Sequence, residues 1–176
     1  MAEDLLVLAR SERGRVPVAT QRVALGEAVR EACKRFATRA GESHVSLHPE
    51  VENETELLVD PVRLRQALDN LIDNSLRHSR DGGEIRVSGG CDDHETWLKI
   101  SDRGEGFPEE FVARAFEPFA RSDPGRGRDH CGVGLGLSIV RAIAESHGGT
   151  ASARNLPTGG AEVTVRFPRR VAGVES

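Results

Sequence analysis

The sequence holds only three cysteines, Cys33, Cys91 and Cys131. Their number is odd and no two lie close together, which argues against a disulfide framework and against a Cys-x-x-Cys metal site. No run approaches the ~20 consecutive apolar residues of a membrane span. The N-terminus lacks the basic-then-apolar pattern of a secretory signal. A formal net charge of -4 offers no bulk attraction to nucleic acid. The six histidines lack metal spacing. His44 and His48 flank an alternating Val45-Ser46-Leu47 run, and on a strand residues four apart lie about 13 Å from each other, too far for one ion. What is present, 38% hydrophobic and 30% charged residues in a chain of 176, reads as a soluble globular domain. Such a chain buries roughly two-thirds of its unfolded surface and needs no disulfide or metal to hold it.

Along the chain, residues 1–13 carry an amphipathic helical pattern that Gly14 ends. Residues 16–23 are strand-like and lead into a helix over 25–40, closed by Gly41. Short strands are expected at 43–48 and 56–59. Asp60-Pro61 is a helix start, an N-cap carboxylate before a proline at the first helical position. That helix runs to about Ser79, and Asp81-Gly82-Gly83 breaks it. Alternating runs at 84–89 and 96–101 predict an antiparallel pair. Residues 104–134 are rich in glycine, proline and charge, with one short helical stretch near 108–115. A helix over 135–147 is closed by Gly148-Gly149. Strands at 150–154 and 162–167 surround a Pro157-Thr158-Gly159-Gly160 turn. The sum is an α+β fold, a two-layer α/β sandwich with helices on one face of a mixed, mostly antiparallel sheet. A stretch as long as 104–134 without regular structure is uncommon in a compact domain and is usually functional or disordered.

On the helix from Pro61, Leu64, Leu68, Leu71, Ile72 and Leu76 form one apolar stripe, with Asn70, Asn74, Arg77 and His78 opposite. A merely solvated face favours Lys and Glu. Asparagine prefers caps and turns, so two in mid-helix, four apart, cost helix stability and favour a site. Asparagine carbonyl oxygens can ligate Mg²⁺, a cation at i+3 can meet phosphate, and an imidazole at i+4 can lie against a base. Asp102-Arg103-Gly104-Glu105-Gly106 follows a strand, where a carboxylate can accept from the amine of adenine and the glycines let backbone approach a ring. Gly132-Val133-Gly134-Leu135-Gly136-Leu137 opens a helix whose N–H groups favour phosphate. It is neither a Walker A loop nor a dinucleotide fingerprint. Phe116 and Phe119, two of six phenylalanines, are expected to anchor the intervening loop against the core. Arg121, Arg126 and Arg128 place cations on that loop.

In this order, the motifs resemble the ATP-binding catalytic domain of sensor histidine kinases, within the GHKL superfamily, over about residues 20–168. Asn70-Leu71-Ile72-Asp73-Asn74-Ser75-Leu76-Arg77-His78 resembles the N box, 102–106 the G1 box, Phe116-Glu117-Pro118-Phe119 the F box and 132–137 the G2 box. The resemblance implies ATP and Mg²⁺ as ligands, with Asn74 on the metal. Asn70 and Arg77 stand near the phosphates and His78 beside the nucleotide, where the family often has tyrosine. Asp102 reads adenine, and Arg121 stands near the γ-phosphate. Gly104, Gly106, Gly132, Gly134 and Gly136 match the lid glycines, and Phe116, Phe119, Val133 and Leu135 complete the implied nucleotide-binding set.

Two departures stand out. Cys131 occupies a position often glycine, which implies a stiffer lid hinge. No His-Glu-x-Arg/Lys-Thr/Ser-Pro phosphoacceptor box is present. Residues 1–14 resemble the end of a dimerisation helix, so the chain is expected to be a fragment comprising that helix end, a catalytic domain over 15–170 and a disordered tail over 171–176. The implied partners are the dimerisation and phosphoacceptor domain and a response-regulator receiver domain, with no nucleic acid and no membrane contact. The implied location is cytoplasmic, with a parent protein that can be a membrane sensor. Asn70 cannot take a proton, unlike the glutamate usual at that position in the superfamily's ATP hydrolases, and this favours phosphoryl transfer over hydrolysis. The competing readings are a stand-alone serine kinase of the anti-sigma type, which generally carries an acidic residue there, and a non-catalytic nucleotide-binding module.

Overall fold

The computed structural model describes residues 18–52, 55–120 and 134–169. The expectations for residues 1–14 and 171–176 lie outside the described residues. The described residues form seven strands and four helices in chain order. They are β1 (Gln21–Ala24), α1 (Leu25–Glu42), β2 (Ser46–Val51), β3 (Glu56–Val59), α2 (Pro61–His78), β4 (Glu84–Cys91), β5 (Glu95–Asp102), α3 (Glu109–Val112), α4 (Gly136–Ser146), β6 (Thr150–Asn155) and β7 (Ala161–Pro168). β1 and β3 form a small antiparallel pair, and the other five strands make one sheet in the order β2-β4-β5-β7-β6. Only β2 and β4 run parallel; the remaining neighbours are antiparallel. The expected α+β sandwich with a mixed, mostly antiparallel sheet is the observed fold.

The apolar stripe of α2 explains its place. Leu64, Leu68, Leu71 and Ile72 meet Leu25 and Val29 of α1, Ile139, Val140 and Ile143 of α4, and Ile85, Val87, Leu98, Ile100, Val165 and Phe167 of the sheet in one core, each residue no more than 1% exposed. Burying a Leu, Ile or Phe side chain contributes about 1.5–3 kcal/mol, so this layer between helices and sheet dominates stability. The polar face of α2 is thereby turned outward by the same periodicity that buries the stripe.

Local signals set the helix starts. Asp60 caps α2 by accepting from the backbone N–H groups of Val62 (2.9 Å) and Arg63 (3.2 Å), with Pro61 in the first turn. Its other oxygen accepts from Ala19 N–H at 3.1 Å and ties the segment before β1 to the helix. Burial works against the Asp60 charge, but the backbone bonds from Ala19, Arg63 and Val62, with Arg63 nearby, hold its carboxyl below the ordinary value.

Two expected boundaries move. Gly41 does not close α1, which continues to Glu42. The carbonyl of Ala40 accepts from both Ser43 (3.1 Å) and Val45 (2.8 Å), and the left-handed residue that ends the turn is His44, at φ 51°. The strand expected at 43–48 therefore starts at Ser46 and runs to Val51. Pro49 is tolerated inside it because β2 is a sheet edge, with a neighbour on one side only.

Candidate functional site

The C-terminal half of α2 is flanked by two backbone turns. On one side, β5 ends in Asp102 and the chain folds over the end of the helix so tightly that a β-carbon on Gly104 would lie 2.3 Å from the carbonyl oxygen of His78. On the other, the start of α4 abuts α2, where a β-carbon on Gly136 would lie 3.4 Å from Asn70 Oδ1. Asn70, Asn74, Arg77 and His78 thus share a strip bounded by the glycine turns the sequence singled out. Residues separated by as much as 66 positions in sequence, Asn70 and Gly136, are brought into one place.

Asp102 is buried, at 5% exposure. Its Oδ1 accepts from the N–H groups of Gly104 (2.9 Å) and Ala161 (3.2 Å). The carboxylate is therefore locked in orientation, and both of these bonds fall on one oxygen, which leaves Oδ2 to accept from a ligand amine. Ala161 was not anticipated from sequence, nor was Gly160, whose φ of 93° and close approach put an added β-carbon 1.9 Å from the carbonyl oxygen of Asp102. Asn155 was also missed. Its Oδ1 accepts from Phe107 N–H at 2.7 Å and its Nδ2 donates to Phe107 O at 2.8 Å. That two-point clamp holds the chain just after Gly106, itself at φ 76°.

Asn70 donates from Nδ2 to Gln66 O at 3.0 Å, one turn back, which fixes its amide plane. Asn74 is half-buried and His78 exposed on the same face. Arg77 Nε donates to Asp73 Oδ2 at 2.7 Å, and Asp73 Oδ1 accepts from Arg39 Nη1 of α1. Burial opposes the Asp73 charge, but the bonds from Arg77 and Arg39 and their positive charges hold its carboxyl below the ordinary value.

α4 begins at Gly136 with Leu135 as N-cap and no side-chain cap. The first-turn N–H groups lack an internal partner, and the helix dipole makes this end electropositive, facing the strip on α2. Leu135 is buried, and its carbonyl accepts from Ile139 N–H at 3.0 Å and Ser138 Oγ at 2.8 Å. Gly134, at φ 76°, accepts through its carbonyl from Phe119 N–H at 2.9 Å. Phe116 packs against the core as expected. The Phe119 side chain does not: it is 61% exposed, and its backbone, at φ 64°, does the anchoring instead. Arg121, Gly132 and Val133, with Arg126, Arg128 and Cys131, lie outside the described residues. Among the described residues no group of histidines, cysteines and carboxylates could hold a metal by itself, and no helix is long and apolar enough to cross a membrane.

A locked carboxylate beside glycine turns and an uncapped helix start, both against an asparagine-bearing helix, define an α+β nucleotide-binding sandwich. Residues 59–171 match the family described as histidine kinase-, DNA gyrase B- and HSP90-like ATPase. The chain belongs to that family. It is 34% identical over 168 residues to a probable sensor histidine kinase HK of Mycobacterium tuberculosis, covering 96% of this chain and 42% of the relative. It is 36% identical over 138 residues to sensor histidine kinase component HK1 of Mycobacterium tuberculosis, covering 78% of this chain and 77% of the relative. The catalytic domain of histidine kinase ThkA superposes with a TM-score of 0.75 at 26% identity, covering 85% of this chain and 97% of that one. Full-length ShkA in complex with AMPPNP superposes with a TM-score of 0.84 at 25% identity, covering 98% of this chain and 36% of that one. The chain thus matches the ATP-binding catalytic domain of sensor histidine kinases and spans less than half the length of the first of these relatives.

Proposed function

We propose that this chain binds Mg-ATP in the strip between α2, the Asp102 turn and the α4 start, and passes the γ-phosphate to a histidine on a dimerisation domain. The observation that carries this reading is the close approach of Gly104 to His78 and of Gly136 to Asn70, which makes one cradle of three separate segments. The donor set suits the ligand. Asp102 Oδ2 is available to the exocyclic amine of adenine, and the α4 start to phosphate. Asn74 offers the neutral hard oxygen that would hold Mg²⁺. Held there, Mg²⁺ would supply positive charge to offset that of the phosphates. Arg77, and by resemblance Arg121, are the cations for the terminal phosphate. With Gly106, Phe116, Phe119, Gly132, Val133, Gly134 and Leu135, these residues form the proposed site.

Asn70 cannot act as a base. The site therefore works by positioning and charge neutralisation, and the attacking imidazole needs no deprotonation by this domain. We assign residues 15–170 to the catalytic domain and 1–14 to the end of a dimerisation helix. A receiver domain is the downstream partner, on the cytoplasmic side.

The test is to mix the chain with a separate sensor-kinase phosphoacceptor fragment and γ-labelled ATP. Acid-labile label on that fragment's histidine supports the reading. ATP binding without transfer reduces the domain to a nucleotide-binding module.

A further inference from the structure

Two ion-pair bridges of the same design cross from α1 to α2. In the first, Arg35 of α1 meets Asp69 of α2 at 2.6 Å, and Asp69 lies 3.6 Å from Arg65, four residues earlier on α2. In the second, Arg39 of α1 meets Asp73 of α2, and Asp73 bonds Arg77, four residues later, at 2.7 Å. The bridges differ in where their third member points. Arg65 lies toward the start of α2, with a side chain 66% exposed. Arg77 lies at the site end, 33% exposed, one turn beyond Asp73 and between Asn74 and His78.

From this difference we infer that Asp73 is a positioning residue that holds Arg77 for the terminal phosphate, with Arg39 as the strut that fixes Asp73 from α1. The inference rests on the proposed role of Arg77. A long arginine side chain loses on the order of 2 kcal/mol of rotamer freedom when it is fixed, and a pre-existing bond at Nε takes up part of that cost before nucleotide arrives. Asp73 Oδ2 holds Nε, and Oδ1 is held in turn by Arg39, so Asp73 cannot swing with Arg77. By the proposed role of Arg77, this arrangement acts on the terminal phosphate. Its effect belongs to the γ-phosphate alone, and it is read as the preference for ATP over ADP.

The experiment measures Mg-ATP and Mg-ADP affinities for the wild-type chain, Asp73→Asn, Arg39→Gln, Asp69→Asn and Arg77→Ala, alongside urea unfolding. Arg77→Ala is expected to remove most of the ATP preference. Asp73→Asn should lower that preference by about three- to tenfold, part of what a hydrogen bond to a charged group contributes, with ADP affinity little changed. Arg39→Gln, which is remote from the nucleotide, should shift it in the same direction by less. Asp69→Asn should lose similar stability and keep the full preference, which separates positioning from general support of the helix pair. An Asp73→Asn chain that keeps the wild-type ATP preference while Arg77→Ala loses it overturns the inference and leaves the role of Arg77 standing. A raised preference also overturns it, because Asp73 would then restrain Arg77. An Arg77→Ala chain with unchanged preference overturns the role of Arg77 itself.

Discussion

The backbone N–H of Asp60 donates to Nε2 of His147 across 3.0 Å, and His147 Nδ1 donates to Ile143 O at 2.8 Å. Because an N–H group points at Nε2, the ring takes the Nδ1–H tautomer, with both nitrogens satisfied. The His147 and Phe167 rings meet nearly at right angles, with centroids 5.9 Å apart. The pair joins the residue just before α2 to the residue just after α4, the two helices that carry the site.

Replacing His147 with alanine leaves Asp60 N–H buried without its acceptor and opens a void beside Phe167. The expected loss is about 2–4 kcal/mol of unfolding free energy, measured by urea denaturation. A change within experimental error would show that the two helix ends are held by the core alone.

Gly160 and Gly41 should respond to alanine in opposite senses. At Gly160 the new β-carbon would sit 1.9 Å from Asp102 O on a backbone at φ 93°, so the turn must shift and carry Asp102 with it. Adenine-nucleotide affinity should fall by about tenfold or more, with a stability loss above about 1 kcal/mol. At Gly41 nothing lies within 4 Å, and the residue is helical. Gly41→Ala should add about 0.5–1 kcal/mol and leave nucleotide titrations unchanged.

Acid should weaken the fold through Asp60 and Asp73. Both carboxyls are held below their ordinary values in the folded chain, so the unfolded chain binds more protons as pH drops. Their contribution is complete above the unfolded aspartate value of about 3.9 and is lost as pH falls through the depressed folded values. Urea midpoints measured from about pH 6 downward should decline over that acid window, and Asp73→Asn should flatten the decline. An unchanged acid limb in the variant would remove Asp73 from the account.

Asn74→Ala should abolish the Mg²⁺ dependence of ATP affinity while the chain stays folded, because Asn74 lies on the polar face of α2 and outside the core. ATP titrations with and without Mg²⁺ report this directly. Equal Mg²⁺ enhancement in variant and wild type would move the metal to other donors.

Much of this site was legible because its residues sit in short runs. Asn70 and Asn74 share a helix face through periodicity alone, and the Asp60-Pro61 start of α2 is fixed by local chemistry that tertiary packing did not override. What was illegible depends on distance. Asn155 holds Phe107, and Gly160 seats Asp102, only because β6 and β7 form the hairpin that brings the 155–161 turn beside the end of β5. Asp73 reads as one more charge on a polar face until Arg39 is placed opposite it. Phe119 misled for a different reason: an aromatic residue suggested side-chain anchoring, whereas its backbone carries the bond. Gly41 misled because His44 took the left-handed position that ends the turn.

The bond between Phe119 N–H and Gly134 O has a practical consequence. It holds Phe119 and Gly134, which are 15 positions apart in sequence, at a fixed spacing. Lengthening such a segment costs only about 0.6 kcal/mol per doubling. Sequences of other lengths can therefore be spliced between Phe119 and Gly134, with the core that holds Gly136 beside Asn70 left as it is.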